Sequence, residues 1–169
     1  MVAPQGIVRV SQHNQTVIFQ VEGRATMHHS PSVRRFAEQC LPCGTTTLGV
    51  DLRYCTHMDS TFLATLLFLK RRVDRWVQGE FTLISPSPPC CQLLQQMRLD
   101  KVFPIVTMEE LAASLWTELQ SEPDDIKAFK RNVVQAHQEL ANIEGLAGKP
   151  FRELVSALVR ELEAEKPDK

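Results

Sequence analysis

The most restrictive stretch of this chain runs from Thr47 to Val77. It opens with Thr47–Leu52, a mostly apolar run suited to a strand in the middle of a sheet. A polar loop is expected over residues 53–59, and a long helix from Ser60. From Thr61 to Val77 there is no Gly or Pro, and Leu63, Leu66, Leu67, Val73 and Val77 recur at helical spacing. A strand that feeds a helix of this length returns by a crossover rather than a hairpin, so the next strand in the sheet runs parallel. Asp59 falls at the N-cap position, where its carboxylate can accept from otherwise unpaired backbone N–H groups. Ser60 and Thr61 then lie in the first turn, where the helix dipole favours negative charge, phosphate included. A serine here can carry a phosphoryl group at low cost.

The flanking sequence extends this alternation. Ile7–Val10 and Thr16–Val21 form a hairpin signal around His13-Asn14-Gln15, and Gly23 is expected to end the second strand. Ser30-Pro31-Ser32 reads as a helix start, with Pro42 and Gly44 stopping that helix after Cys40. Phe81–Ile84 is a short strand, Ser85–Pro89 a stiff turn, and Cys90–Met97 a helix. Val102–Val106 is a last strand, placed at an edge by Pro104. The order β-β-α-β-α-β-α-β predicts an α/β fold: a mixed, largely parallel sheet packed with helices, over residues 1–106.

Residues 107–169 read as a helical C-terminal extension. Leu111, Leu115 and Leu119 predict one helix over Glu109–Leu119. Ile126, Phe129, Val133, Ala136, Leu140 and Ile143 predict a second, capped by Ser121. Phe151, Leu154, Val155, Leu158 and Leu162 predict a third, from Pro150 to Glu165. These stripes must be buried against each other, the body, a second copy in a homodimer, or a partner.

Charge divides at the same place. Up to Val106 there are 11 Lys/Arg and 7 Asp/Glu, and beyond it 8 and 13. Neither part carries a basic stripe with interleaved aromatics, which argues against nucleic acid. No apolar run approaches the roughly 18 residues of a membrane span, and the N-terminus lacks a secretory pattern, so a cytoplasmic protein is expected. Five cysteines, an odd number, argue against a disulfide framework.

Val50-Asp51-Leu52 followed by Met58-Asp59-Ser60-Thr61-Phe62-Leu63 resembles the STAS domain of anti-sigma-factor antagonists. Leu99-Asp100-Lys101-Val102-Phe103 is similar to the segment after that family's third helix, and Gly23-Arg24-Ala25-Thr26 with Ser30-Pro31 to the loop after its second strand. The match covers about residues 5 to 106. Thr61-Phe62-Leu63 is similar to a variant whose members often carry a helical extension with an Ala-His and a spaced Phe and Leu, here Ala136-His137, Phe151 and Leu154.

The resemblance implies a binding switch rather than an enzyme, with no cofactor or metal. A GHKL-type serine kinase that is also the anti-sigma factor would bind the unphosphorylated protein and be released when Ser60 is phosphorylated. A phosphatase would reset it. Ser60 is the implied phosphoacceptor. Asp59, Thr61, Phe62 and His57 form the loop around it, and Arg24, Ser30 and Met58 belong to the partner-binding surface. Most members have Gly where this chain has Phe62, which adds bulk beside the acceptor.

Other residues fit plainer readings. His57 lies three residues before Ser60, but a hydrolase triad would lack its Gly-x-Ser-x-Gly elbow. Cys40-Leu-Pro-Cys43 has the spacing of a redox or zinc pair, yet sits at a helix C-terminus, where the dipole opposes a thiolate. With Cys90-Cys91 it reads as structural thiols, and His28-His29 as a polar loop. Lys70, Arg71, Arg72 and Arg75 read as a solvated face, or as a dock for an acidic surface such as the chain's own tail. Trp76 and Trp116 read as core or interface anchors.

Overall fold

A computed structural model describes residues 5–109, 111, 115–121, 126–143 and 148–164. Strands β1 (Ile7–His13) and β2 (Thr16–Ala25) form an antiparallel hairpin with His13 opposite Thr16. Asn14 takes the left-handed conformation that its tight turn requires, at φ 52°. Strand β3 (Thr47–Met58) lies parallel to β2, β4 (Glu80–Ile84) parallel to β3, and β5 (Ile105–Val106) parallel to β4. A sixth strand, β6 (Thr117–Glu118), pairs antiparallel with β1. The sheet order is β5-β4-β3-β2-β1-β6, mixed and largely parallel as the alternation predicts.

Helices α1 (Ser30–Cys40), α2 (Ser60–Val73) and α3 (Pro88–Gln96) connect the strands. A short 3-10 turn, Leu41–Cys43, follows α1 and ends at Gly44 with φ 97°. Val17, Phe19 and Val21 of β2 and Leu48, Val50 and Leu52 of β3 are buried with Leu63, Leu66 and Leu69 of α2 in one core. The opposite face of β3 carries Gly49, where an added side chain would press the terminal methyl of Ile84 aside. A Cβ there would come within 2.9 Å of Ile84.

Several boundaries differ from expectation. Gly23 bends β2 rather than ending it: with φ 74° it sits between register shifts, and β2 continues to Ala25. Residues 53–58 are not a loop, because Tyr54, Cys55, His57 and Met58 pair with the extended end of β2. Helix α2 stops at Val73, and Val77 lies fully exposed beyond it. The last predicted strand shortens to Ile105–Val106, after Pro104. No helix spans Glu109–Leu119, since Thr117–Glu118 joins the open edge of β1 and the Leu119 N–H donates to the Val8 carbonyl at 2.9 Å. Residues 110 and 112–114 of that prediction, and Ser121's expected capping partners at 122–125, lie outside the described residues.

Beyond the sheet, α4 (Ile126–Ala141) and α5 (Lys149–Ala164) pack as a hairpin, and α4 lies along α2. Val134, Ala136, Leu140, Ala141 and Phe151 are buried there within the chain, while the side chains of Ile126, Phe129, Leu154, Leu158 and Leu162 lie outside the described residues. No helix among the described residues is long and apolar enough to cross a membrane.

Candidate functional site

Asp59 fastens three elements at the start of α2. Its backbone is extended, and its N–H donates to the Ala25 carbonyl at the end of β2. One carboxylate oxygen accepts from the Phe62 N–H at 2.8 Å, the N-cap bond expected from sequence. The other accepts from the Met27 N–H at 2.7 Å, in the loop between β2 and α1. Each oxygen thus satisfies a backbone donor that would otherwise lack a partner.

The same loop is held from the other side by His29. Its Nδ1 accepts from the Thr26 N–H at 3.1 Å, which leaves Nε2 to donate to the Gly6 carbonyl at 2.8 Å. His29 is therefore a buried staple rather than part of a solvated polar loop, a role only the tertiary fold reveals.

Ser60, the first residue of α2, is half-buried, and its Oγ lies 3.0 Å from Nε2 of His137 on α4. The Nδ1 of His137 lies 2.7 Å from the Val133 carbonyl. A carbonyl only accepts, so Nδ1 carries the ring proton and Nε2 presents a lone pair to the Ser60 hydroxyl, which donates. His137 is only 6% exposed, with the Phe151 ring of α5 at 6.3 Å. The histidine on Ser60 is thus 77 residues away in sequence. His57 is exposed on β3, in register with Arg24.

The other predicted residues separate by burial. Thr61 is buried, its carbonyl accepting from the Thr65 hydroxyl at 3.1 Å, so it offers no second surface hydroxyl. Phe62 is 1% exposed and points into the core, which corrects the expectation that its ring crowds the acceptor. Of the three residues expected to face a partner, Arg24 is exposed, while Ser30 and Met58 are buried. That, too, is a correction: Met58 packs in the core at the end of β3, and Ser30 is enclosed at the start of α1, so they support the surface without forming it.

Lys70, Arg71 and Arg72 of the basic cluster have internal partners, while Arg75 is exposed beyond the end of α2. Arg71 donates to both the side chain and the carbonyl of Glu139 on α4, so the acidic surface it meets is the chain's own tail. Lys70 pairs with Asp74, and Arg72 with Glu38. Arg34, buried, stacks 3.8 Å from the centre of the Phe68 ring. Burial pushes its guanidinium below its ordinary pKa, while Glu38 and Glu139 oppose that shift.

Trp76 is 48% exposed and Trp116 half-buried, so neither is a core anchor. The cysteines are free; Cys40, Cys55 and Cys90 are buried, and Cys43 is exposed. Burial pushes the Cys40 thiol up, and a hydrogen bond shared with Cys90, with burial second, does the same to Cys55. Among the described residues no cluster of three or more His, Cys, Asp and Glu could hold a metal ion.

One signal for His137's cover was present in the sequence. Every residue from Thr61 to Leu69 is buried, and a helix that is apolar all round must be covered all round. The sheet and α1 cover part of α2, and α4 covers its remaining face.

The arrangement matches known proteins over the sheet-bearing part. The family profile described as "Mlab, STAS domain" matches residues 8–108. No curated protein matches the sequence. Among solved structures, the unphosphorylated form of the anti-sigma factor antagonist SpoIIAA superposes with a TM-score of 0.55 at 21% identity, over 61% of this chain and 89% of its own. An anti-sigma factor antagonist from Mycobacterium paratuberculosis gives 0.53 at 20% identity, over 62% and 89%. A STAS domain protein from Planctomyces limnophilus gives 0.53 at 22%, over 60% and 91%. At these identities the structures establish the fold, and the profile, which spans more than half of the sequence, establishes the family: the chain belongs to the STAS domain family.

Proposed function

We propose that this STAS protein is an anti-sigma-factor antagonist with Ser60 as its phosphoacceptor. In this reading the unphosphorylated protein binds a GHKL-type serine kinase that doubles as the anti-sigma factor. Phosphorylation of Ser60 releases that partner, and a phosphatase restores the binding form. The carrying observation is the place of Ser60: the first residue of α2, half-exposed, behind an Asp59 cap that already occupies both its oxygens. A phosphate there meets the positive end of the helix dipole. Exposed Arg24 and His57 lie on paired positions of β2 and β3, at the strand ends that lead toward the site. The solved relatives lend support, since several are named anti-sigma factor antagonists and one is the phosphorylated form of SpoIIAA, described as a Bacillus cell fate determinant.

A second reading, a constitutive STAS scaffold without phosphoryl control, is favoured by one observation: the Ser60 hydroxyl already has a partner in His137. Mass spectrometry of the protein from its native host separates the two. A phosphopeptide spanning Asp59 to Lys70 is expected, and its absence under every growth condition would leave the scaffold. In binding assays with the kinase-like partner, Ser60→Asp is expected to lose binding that Ser60→Ala keeps. Equal binding by both rules out the switch.

A further inference from the structure

We infer that the C-terminal hairpin is an intramolecular clasp on Ser60, and that phosphorylation tightens it through His137. The inference rests on Ser60 being the phosphoacceptor and adds a role for α4 and α5. In the unmodified chain the contact is an ordinary hydrogen bond, Ser60 Oγ–H to His137 Nε2 at 3.0 Å. The ring is fixed on its other edge by the Val133 carbonyl and lies near Phe151, so it moves only with the hairpin.

Phosphoryl transfer from a nucleoside triphosphate changes the chemistry of that contact. Ser60 Oγ bonds to the γ-phosphorus, the bond from that phosphorus to the diphosphate oxygen breaks, and the nucleoside diphosphate leaves. The hydroxyl proton passes to the Nε2 lone pair that already accepts it. The imidazole then carries a proton on both nitrogens and faces a phosphate. A charge-assisted hydrogen bond of this kind is roughly twice as strong as its neutral counterpart.

The surrounding charges permit this. The Asp59 carboxylate is held by the Phe62 and Met27 N–H groups, and Glu139, on the same helix as His137, is paired with Arg71. Ser60 is half-exposed, so the remaining phosphate oxygens can face water. In the phosphorylated chain α4 therefore stays seated over the start of α2. A partner that docks there on the unmodified chain loses its seat to the protein's own tail.

The test uses the full chain with phosphoserine genetically encoded at position 60, compared with the unmodified chain by hydrogen–deuterium exchange. Amides of residues 133–141 in α4 are expected to exchange about tenfold more slowly in the phosphorylated chain. Amides of β2 and β3 should not change, which also reports that each variant is folded. His137→Phe keeps a ring beside Phe151 but has no donor, so the slowing should vanish. Exchange in α4 that is unchanged or faster with phosphoserine overturns the clasp, as does slowing that survives His137→Phe. Because the phosphate is installed, this result is independent of whether the host phosphorylates Ser60. A host protein without phosphate sinks the phosphoacceptor reading instead.

Discussion

Asp59 and Ser60 are neighbours, yet Asp59 is bonded to the sheet body and Ser60 to the C-terminal hairpin. The body closes on itself: its core is apolar, its loops are stapled by Asp59 and His29, and its buried carboxylate, Asp51, has partners on both oxygens. Asp51, with no exposure, takes Arg53 through Nε at 3.0 Å and its backbone N–H at 3.1 Å, and Gln20 at 3.2 Å. Among the described residues the hairpin instead leans on the body through a smaller set of buried apolar side chains and through polar contacts that include Ser60–His137 and Arg71–Glu139. The body is built to persist, while the hairpin is the part a binding event could move, because local opening is cheapest where few buried contacts must break.

Removing the hairpin tests this contrast most severely. A chain ending at residue 121 keeps β6 and is expected to retain its secondary structure by circular dichroism. With the outer face of α2 bared, it should self-associate in light scattering. A monomeric, stable truncation would mean that α4 covers nothing of consequence, and an unfolded one that the hairpin belongs to the body.

Asp51→Ala attacks the body alone. It leaves Arg53 and Gln20 without their buried partner and should cost about 3 kcal/mol, read as a lower midpoint in chemical denaturation. Asp59→Ala removes the cap and strands the Met27 N–H, for about 2 kcal/mol. A loss below about 0.5 kcal/mol would show that Asp59 is no staple. Arg71→Ala is expected to do least. The ion pair is partly solvated, so the variant should lose at most about 1 kcal/mol and speed exchange in α4 while the sheet amides stay protected.

What could be read in advance followed the strength of the local signal. The strand–helix alternation, the Asp59 cap and Ser60 in the first turn are set by neighbouring residues, and each appears where the sequence puts it. The failures lie where a distant partner decides. The leucine spacing over Glu109–Leu119 suits a helix, but the unpaired edge of β1 draws Thr117–Glu118 into a strand. The polar residues 53–58 look like a loop until the end of β2 pairs with them. Phe62 looks like an obstruction because its direction depends on the core beneath α2. His137 stands out in the sequence only through the resemblance of Ala136-His137 to a helical extension, which says nothing of its meeting Ser60. Only the all-round apolar character of residues 61–69 asked for a cover, and nothing nearby in sequence said which segment would provide it.

The 77 residues between Ser60 and His137 also impose an order in time. On the ribosome the β3–α2 unit emerges well before α4 exists. At about 5–20 residues per second, Ser60 precedes its cover by about 4 to 15 s. Every newly made molecule therefore passes through an interval in which the serine is present and His137 is not. A kinase or partner that meets the nascent chain faces the uncovered site, and one that meets the finished protein must contend with the hairpin.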